Sequence, residues 1–524
     1  MSTPDPLRLK HVNASCSTRR SKRIHAFLDG CAARAYLERP RRQDRAAFPM
    51  PNDDSYDLIL VGTGFASAFF LHRFLARSKP GVRVLVLERG TLHEHSVHMT
   101  QRAALTAASV KQIKNRTPEK PWVFQLTFGG GSNCWFGTTP RMTAEDFRLF
   151  STWGQGRDWP LSYDELEPFY CDAEDLIGVA GNSESGPHVR SRPYPLPPHR
   201  FSRVDALLAA SYPTSFFHQP SARPTRGLPK RPRCCASGIC STCPIDSKFT
   251  VLNEMRDQFE RDERVTLVFG ANVTSVGHSG GIAKGVHYLR EGIDQLARGS
   301  LVALGANAIL NPYLLLRSDL DDGIVGRGLV EQVELACDVN LDGVDNFQGS
   351  SASCGIGYMH HDGEHRRDHA AALMLTLNMP ALRLERGKWL QRLRFGWILE
   401  DLPQERNRVS VDPADGKPVV SFEGHSDYTQ RGIDHIRELT PEVIGVLPVE
   451  KLSINKALNK TSSHILCTTP MGTDPATSVV DRDLRHHKLR NLLVLGSSTF
   501  PTCPPANPSL TLSALSLRAA EQLV

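Results

Sequence analysis

The chain lacks any apolar run long enough to cross a bilayer: the longest, LILVG at 58–62 and LLVLG at 492–496, have the length of buried strands. It has no internal repeat at a spacing of 20 to 50 residues and no low-complexity tract, so neither a solenoid nor a fibrous architecture is expected. Twelve cysteines among 524 residues are too few for a disulfide scaffold. An excess of charge of either sign is also lacking from most of the chain once it is mapped along it. Residues 1–55 hold eleven Lys/Arg, Arg19, Arg20, Lys22 and Arg23 among them, against six Asp/Glu, which accounts for five of the six net positive charges. The remaining body is nearly neutral and gives no electrostatic case for nucleic-acid binding. The basic leader reads as a solvated arm, the alternative being contact with a membrane, a partner or nucleic acid. Its STRRSKR run is not followed by a continuous apolar segment, since IHAFLDGCAARAY is interrupted by charge, so no export signal is read and a cytoplasmic protein is expected.

What is present is a large core-forming capacity, 40% hydrophobic residues, enough for two or more domains. After the break PMPNDDS, the segment YDLILVGTGFASAFFLHRFLARSKPGVRVLVLERG reads as strand, tight turn, helix and second strand. Both strands are continuous Val/Leu/Ile runs, as parallel strands covered on two faces must be. Strand patterns return at 265–277 and 301–310, the latter followed by a helix start in NPYLLLRS. Residues 320–460 mix alternating strands with an amphipathic stretch at 426–445. A last strand and a closing helix, PSLTLSALSLRAAEQLV, end the chain.

Gly62 and Gly64 stand directly after a strand and before a helix, the setting in which a dinucleotide pyrophosphate lies on a helix N-terminus. The first glycine permits the turn and the second a close backbone approach; Ser67 takes the place of the third, where a small side chain keeps helix and strand close. Glu88, ending the second strand, is placed to accept the ribose hydroxyls of an adenosine, and an acid there disfavours a ribose phosphate and hence NADP. Gly129, Gly130 and Gly131 in succession suit a backbone passing close to a flat ligand.

Four stretches carry a family resemblance: TFGGGSNCWFGTTPRM at 127–142, DWPLSYDELEPFYCDAEDLIGVAG at 158–181, ALGANAILNPYLLLRS at 303–318, and the sixty residues that begin at SHILCTTPMGT and run through GSSTFPTCPPANPSLTLSALSLRAAEQL. Together they resemble the glucose-methanol-choline (GMC) oxidoreductases, most of all the pyranose oxidase and sugar dehydrogenase branches, over residues 56–524. The resemblance implies an α/β fold, a Rossmann-like FAD-binding domain joined to a second, mainly antiparallel substrate domain. It implies an organisation of 1–55 as a basic extension, 56–145, 236–318 and 463–524 as the FAD-binding parts, and 146–235 and 319–462 as the substrate parts. It implies flavin contacts at Gly130, Gly131, Ser132, Asn133, Cys134, Trp135, Val273, Gly496, Ser497, Pro508 and Ser509. Cys134 stands where pyranose oxidases carry a flavin-linking histidine, so non-covalent FAD is expected, with a cysteinyl link as the alternative. Pro470 replaces the arginine that the family usually carries before Met471-Gly472.

Taking hydride from a carbinol carbon requires that the hydroxyl proton leave with it, and a neutral imidazole suits that task. His464 in HILCT resembles the family's H-x-x-G-T, with Cys467 at the glycine. Asn507 in ANPSLT resembles the polar residue that shares the substrate oxygen with that histidine. The implied reaction is oxidation of a CH–OH group of a sugar, glycoside or polyol by an oxidase or dehydrogenase, with oxygen, a quinone or a partner protein as acceptor. A redox-neutral lyase on the same scaffold, or a flavin subunit of a multicomponent electron-transfer enzyme, are the alternatives. CCASGICSTCPIDSKFT at 234–250 also resembles a C-x-x-C-P run of membrane-coupled sugar dehydrogenase subunits. Cys234, Cys240 and Cys243 are read as iron–sulfur ligands, beside the alternatives of a zinc ion and of cysteines that bind no metal.

Overall fold

The computed structural model describes residues 55–523 apart from 347, 348 and 380; the basic extension up to residue 54 lies outside the described residues. The two apolar runs that open the body form adjacent parallel strands, Tyr56–Val61 and Val84–Glu88, paired Leu58 to Val84 through Val61 to Leu87. Between them runs the helix Phe65–Arg77, which buries Ala68, Phe69, Phe70 and Leu71 completely. Val265–Phe269 extends this sheet beyond Val84–Glu88, and Ile293–Leu304 lies on the other side of Tyr56–Val61, both in parallel. Ile293–Leu304 also pairs in parallel with Leu492–Val494 and antiparallel with Ile282–Arg290, which in turn pairs with Asn272–Ser279. The stretch 265–277, a single run in the sequence, is thus two strands broken at Gly270, whose φ of +67° turns the chain.

A second sheet is antiparallel throughout, in the order Val449–Ile454, Val333–Leu341, Arg392–Leu399, Ala372–Leu377, Gly355–His360 and Phe216–His218. Its strand Val333–Leu341 alternates buried and half-buried positions without a break, and the buried set Val333, Leu335, Cys337, Val339 and Leu341 packs in one core with Trp397 and Ile436. Ile436 lies on the helix Asp427–Ile444, which covers that face and begins at a Ser426 side-chain cap. Among the described residues no helix is long and apolar enough to cross a membrane.

Candidate active site

Parallel strands end where a crevice opens, and the crevice here lies above the ends of Tyr56–Val61, Val84–Glu88 and Ile293–Leu304. It is a cavity of about 230 Å³ lined by Gly62, Thr63, Gly64, Glu88, Gly130 and Gly131, and on its other walls by Val273, Gly305, Gly496 and Ser497. Gly62, at φ +89°, carries the turn, and a Cβ there would lie 2.7 Å from Gly305 O. Gly64 and Gly131 differ: a Cβ on either would meet no protein atom within 4 Å, so the space beside them is a cradle left open by the fold. The helix Phe65–Arg77 has no side-chain cap and no acid in its first turn, which leaves its N–H groups and dipole available to an anion. Glu88 is buried at the rim; it accepts from Thr63 Oγ1 at 2.6 Å and from the Gly90 N–H at 2.7 Å. Burial pushes its carboxyl above the usual range, against those two hydrogen bonds, which favour the anion. Thr63 Oγ1 also accepts from the Gly129 N–H at 3.1 Å and so ties the two glycine turns together.

The cavity continues into a second one of about 490 Å³, the two sharing Phe65, Gly131, Ser463, Ile465, Ser497 and Leu512 on their walls. Together they have the size of a site for a large cofactor and a small substrate. The roof of the second cavity comes from the antiparallel sheet through Glu334, Leu375, Leu377, Gly396 and Ile398; its floor holds Cys134, Trp135, His464, Asn507, Pro508 and Ser509.

His464 and Asn507, 43 residues apart, meet here, with Asn507 Nδ2 at 3.4 Å from His464 Nε2. Asn507 is the N-cap residue of the helix Pro508–Glu521, a position where asparagine ordinarily bonds the first-turn amides, yet it makes no such bond. Pro508 at the first helical position has no amide to satisfy, and the Asn507 side chain is left for His464. The other imidazole nitrogen, Nδ1, lies 2.7 Å from Gln332 Oε1. Gln332 is buried, and its amide nitrogen donates to Pro504 O and to Ala506 O at 2.8 Å, so its oxygen must be the acceptor and His464 Nδ1 must carry the proton. Nε2 is therefore the bare lone pair that faces the cavity with the Asn507 amide. Burial lowers the imidazole to about 4, so it is neutral at pH 7.

The segment before His464 is anchored through Glu331, which pairs with Lys120 in the interior and accepts from Thr461 Oγ1 (2.9 Å) and the Ser462 N–H (3.3 Å). The segment after it is held by Ser497, whose Oγ donates to Ile465 O at 2.7 Å and whose carbonyl accepts the Cys467 N–H at 3.1 Å. Cys467 has a φ of +73°, a conformation natural to glycine, which explains why the resembled motif has glycine there.

Three residues read as cofactor contacts line neither cavity. Ser67 is fully buried between helix and strand, where a Cβ on Gly305 would meet its Oγ at 2.0 Å. Ser132 Oγ donates to Gly129 O at 2.6 Å and accepts the Val251 N–H at 3.0 Å; Asn133 Nδ2 donates to Phe128 O at 2.8 Å. They brace the glycine turn from behind. Gln332, Thr63 and Arg89, absent from the sequence reading, belong to the site: Thr63 and Arg89 line the first cavity and Gln332 supports His464. Thr63 could have been found as the residue between the two glycines.

The cysteine loop lies nearby. Cys234, Cys235, Cys240 and Cys243 surround a cavity of about 10 Å³ with Arg223 and Lys248, and none of them is in a disulfide. Lys248 Nζ donates to Trp135 O at 2.6 Å, and Ser241 of the loop lines the second cavity. Burial lowers the Lys248 amine to about 8 and raises the Cys240 thiol.

Residues 403–516 match the GMC oxidoreductase C-terminal family model. The chain is 25% identical to the fructose dehydrogenase large subunit of Gluconobacter japonicus, over 90% of this chain and 98% of that protein. It is 26% identical to 6'''-hydroxyparomomycin C oxidase of Streptomyces lividus, over 91% of this chain and 92% of that protein. Its fold is similar to the crystal structure of pyridoxine 4-oxidase from Mesorbium loti, with a TM-score of 0.64 and 17% identity over 90% of this chain and 99% of that one. Residues 403–516 thus carry the GMC oxidoreductase match, and over nine-tenths of its length the chain is similar to enzymes that act on CH–OH donors.

Proposed function

We propose that the chain oxidises a secondary alcohol of a sugar, glycoside or polyol to a ketone, with His464 as the base and Asn507 as its partner. The observation that carries this reading is the bare Nε2 of His464, whose other nitrogen is committed to Gln332. FAD, when bound, supplies the two-electron acceptor. The residues suited to hold it without a covalent bond are Gly62, Gly64, Glu88, Gly130, Gly131, Gly496 and Ser497, around the open cradle and the uncapped helix. Asn507 Nδ2 and His464 Nε2 are placed to share one hydroxyl oxygen, the amide donating to it while the imidazole accepts its proton. Glu334, Ser353 and Thr138 line the same cavity and offer polar partners to further hydroxyls, which supports a polyol. The relatives named for fructose and for an aminoglycoside support the same class.

Anaerobic mixing of the holoenzyme with a panel of sugars, glycosides and polyols tests this. Bleaching of the flavin by a member of that panel supports it; a flavin that stays oxidised while a substrate is cleaved would establish the lyase chemistry instead.

A second reading concerns the acceptor. Four free cysteines surround one cavity on a loop that reaches the substrate cavity through Ser241; among them Cys234, Cys240 and Cys243 would hold an iron–sulfur group for one-electron transfer, and since the cavity measures only about 10 Å³ this reading requires the loop to open around the group. Iron and acid-labile sulfide in stoichiometric amount in the purified protein support it, and their absence from anaerobically purified protein removes it.

A further inference from the structure

Away from both cavities, the run HHDGEHRRDH at 360–369 brings several imidazoles together with one from a distant helix. His360 closes the strand Gly355–His360, His365 lies in the short turn Glu364–Arg367, His369 follows it, and His435 comes from the middle of the helix Asp427–Ile444. The ring of His360 lies 4.8 Å from that of His435, and the ring of His369 lies 4.4 Å from it. The ligand nitrogens of His360, His369 and His435 all fall within 4.8 Å of one another. From this convergence we propose that His360, His369 and His435 form a binding site for a divalent transition-metal ion of the zinc class.

Several independent features support a built site. Nε2 of His360, of His369 and of the neighbouring His365 is buried without a hydrogen-bond partner, and His360 as a whole is 6% exposed. Folded proteins rarely leave a buried ring nitrogen unpaired, and here three occur around one point. The elements that carry the ligands are locked together. Arg366 is held by Asp146 at 3.0 Å and Glu400 at 2.7 Å, which fixes the turn between His365 and His369. The helix that carries His435 is docked on the same loop, for Arg431 Nε donates to Asp368 O at 2.7 Å and the Ala370 N–H to Tyr428 O at 3.3 Å. Gly432 permits that contact, since a Cβ there would lie 2.8 Å from the Ala370 side chain.

The donor set decides the ion. Three imidazoles and no carboxylate exclude calcium and magnesium, which take oxygen ligands, and suit zinc, copper, nickel or cobalt with water in the remaining position. The rings of His369 and His435 lie 35° apart and those of His360 and His435 24° apart, so coordination requires each ring to turn about χ2, a broad torsion in histidine. Neither His360, His369 nor His435 lines the active-site cavities, so the ion joins a strand end to a helix of the second sheet's layer and acts on stability, not on the oxidation.

The test is titration of chelator-treated, full-length holoenzyme with Co²⁺ and with Zn²⁺. The expected result is saturation at one equivalent, with visible d–d bands and no thiolate charge-transfer band, and a thermal midpoint that rises with Zn²⁺. His369→Ala and His435→Gln, each at a half-buried position, are expected to abolish the saturation and the thermal shift while flavin content stays at the wild-type level. Three outcomes overturn the proposal: no saturable binding by the wild type, which needs no variant to observe; a thiolate band, which would assign the ion to the cysteine loop; or undiminished binding in both variants.

Discussion

Gln332 accepts a hydrogen bond from His464 Nδ1 at 2.7 Å while its own amide nitrogen is spent on two main-chain carbonyls, those of Pro504 and Ala506. The glutamine cannot flip without losing both, so it fixes which nitrogen of His464 is protonated and which is bare.

Gln332 is therefore a positioning residue with a distinctive readout. Gln332→Leu removes the acceptor for Nδ1–H, and at about 1 kcal/mol for a neutral hydrogen bond it is expected to lower kcat by about fivefold. Gln332→Glu puts a carboxylate beside the imidazole, which favours the charged ring, so the acid limb of the kcat/KM profile should move to higher pH. A purely structural role would lower the yield of folded protein and leave that limb in place.

The pH profile of the wild type follows from the same site. His464 acts in its neutral form, and burial lowers its pKa from 6.5 to about 4. Activity is present above the lowered value and is lost as pH falls through it. The acid limb of kcat/KM is expected nearer 4 than 6.5, measured with a substrate that does not itself titrate in that range.

Two glycines of one turn should fail in different ways. Gly64 has an ordinary φ of −70° and open space where a Cβ would go, so Gly64→Val is expected to fold while its FAD content drops sharply, read from the ratio of flavin to protein absorbance. Gly62 has φ +89° and a Cβ there would meet Gly305 O at 2.7 Å, so Gly62→Ala is expected to lower the thermal midpoint of the apoprotein itself, by a backbone cost of roughly 1–2 kcal/mol or more.

Cys467 provides a backbone test beside the site. At φ +73° a β-branched residue is badly strained, so Cys467→Val should destabilise by more than about 2 kcal/mol in denaturant unfolding. Cys467→Gly relieves the φ but empties a fully buried side-chain volume, and it should be the milder of the two.

Much of this fold is legible in the residues because parallel strands covered on both faces need unbroken apolar runs, and LILV and VLVLE have no other comfortable setting. Gly62, Gly64 and Glu88 are legible because each stands at a junction of elements, where a turn or a strand end restricts the residue type, whereas His464 and Asn507 are singled out only by the family resemblance of the motifs around them. Gln332 is marked by neither. It precedes the strand Val333–Leu341 in a weakly patterned region, and its importance exists only once Pro504 and Ala506 are folded against it. Ser132 and Asn133 show the converse limit: adjacent letters in a glycine-rich motif can point to opposite sides, and theirs turn away from the cavity to satisfy the backbone. The histidines at 360, 365 and 369 are visible as spacing, but nothing in the chain announces that the helix at 427–444 supplies His435.

The central claim is that one neutral imidazole takes the hydroxyl proton, and the rate of flavin reduction in a single anaerobic turnover tests it most directly. FAD-loaded His464→Ala, mixed with the substrate found from the panel, is expected to reduce its flavin slower than the wild type by a factor of about 10²–10⁴. A variant that keeps its FAD and is reduced at the wild-type rate would contradict it.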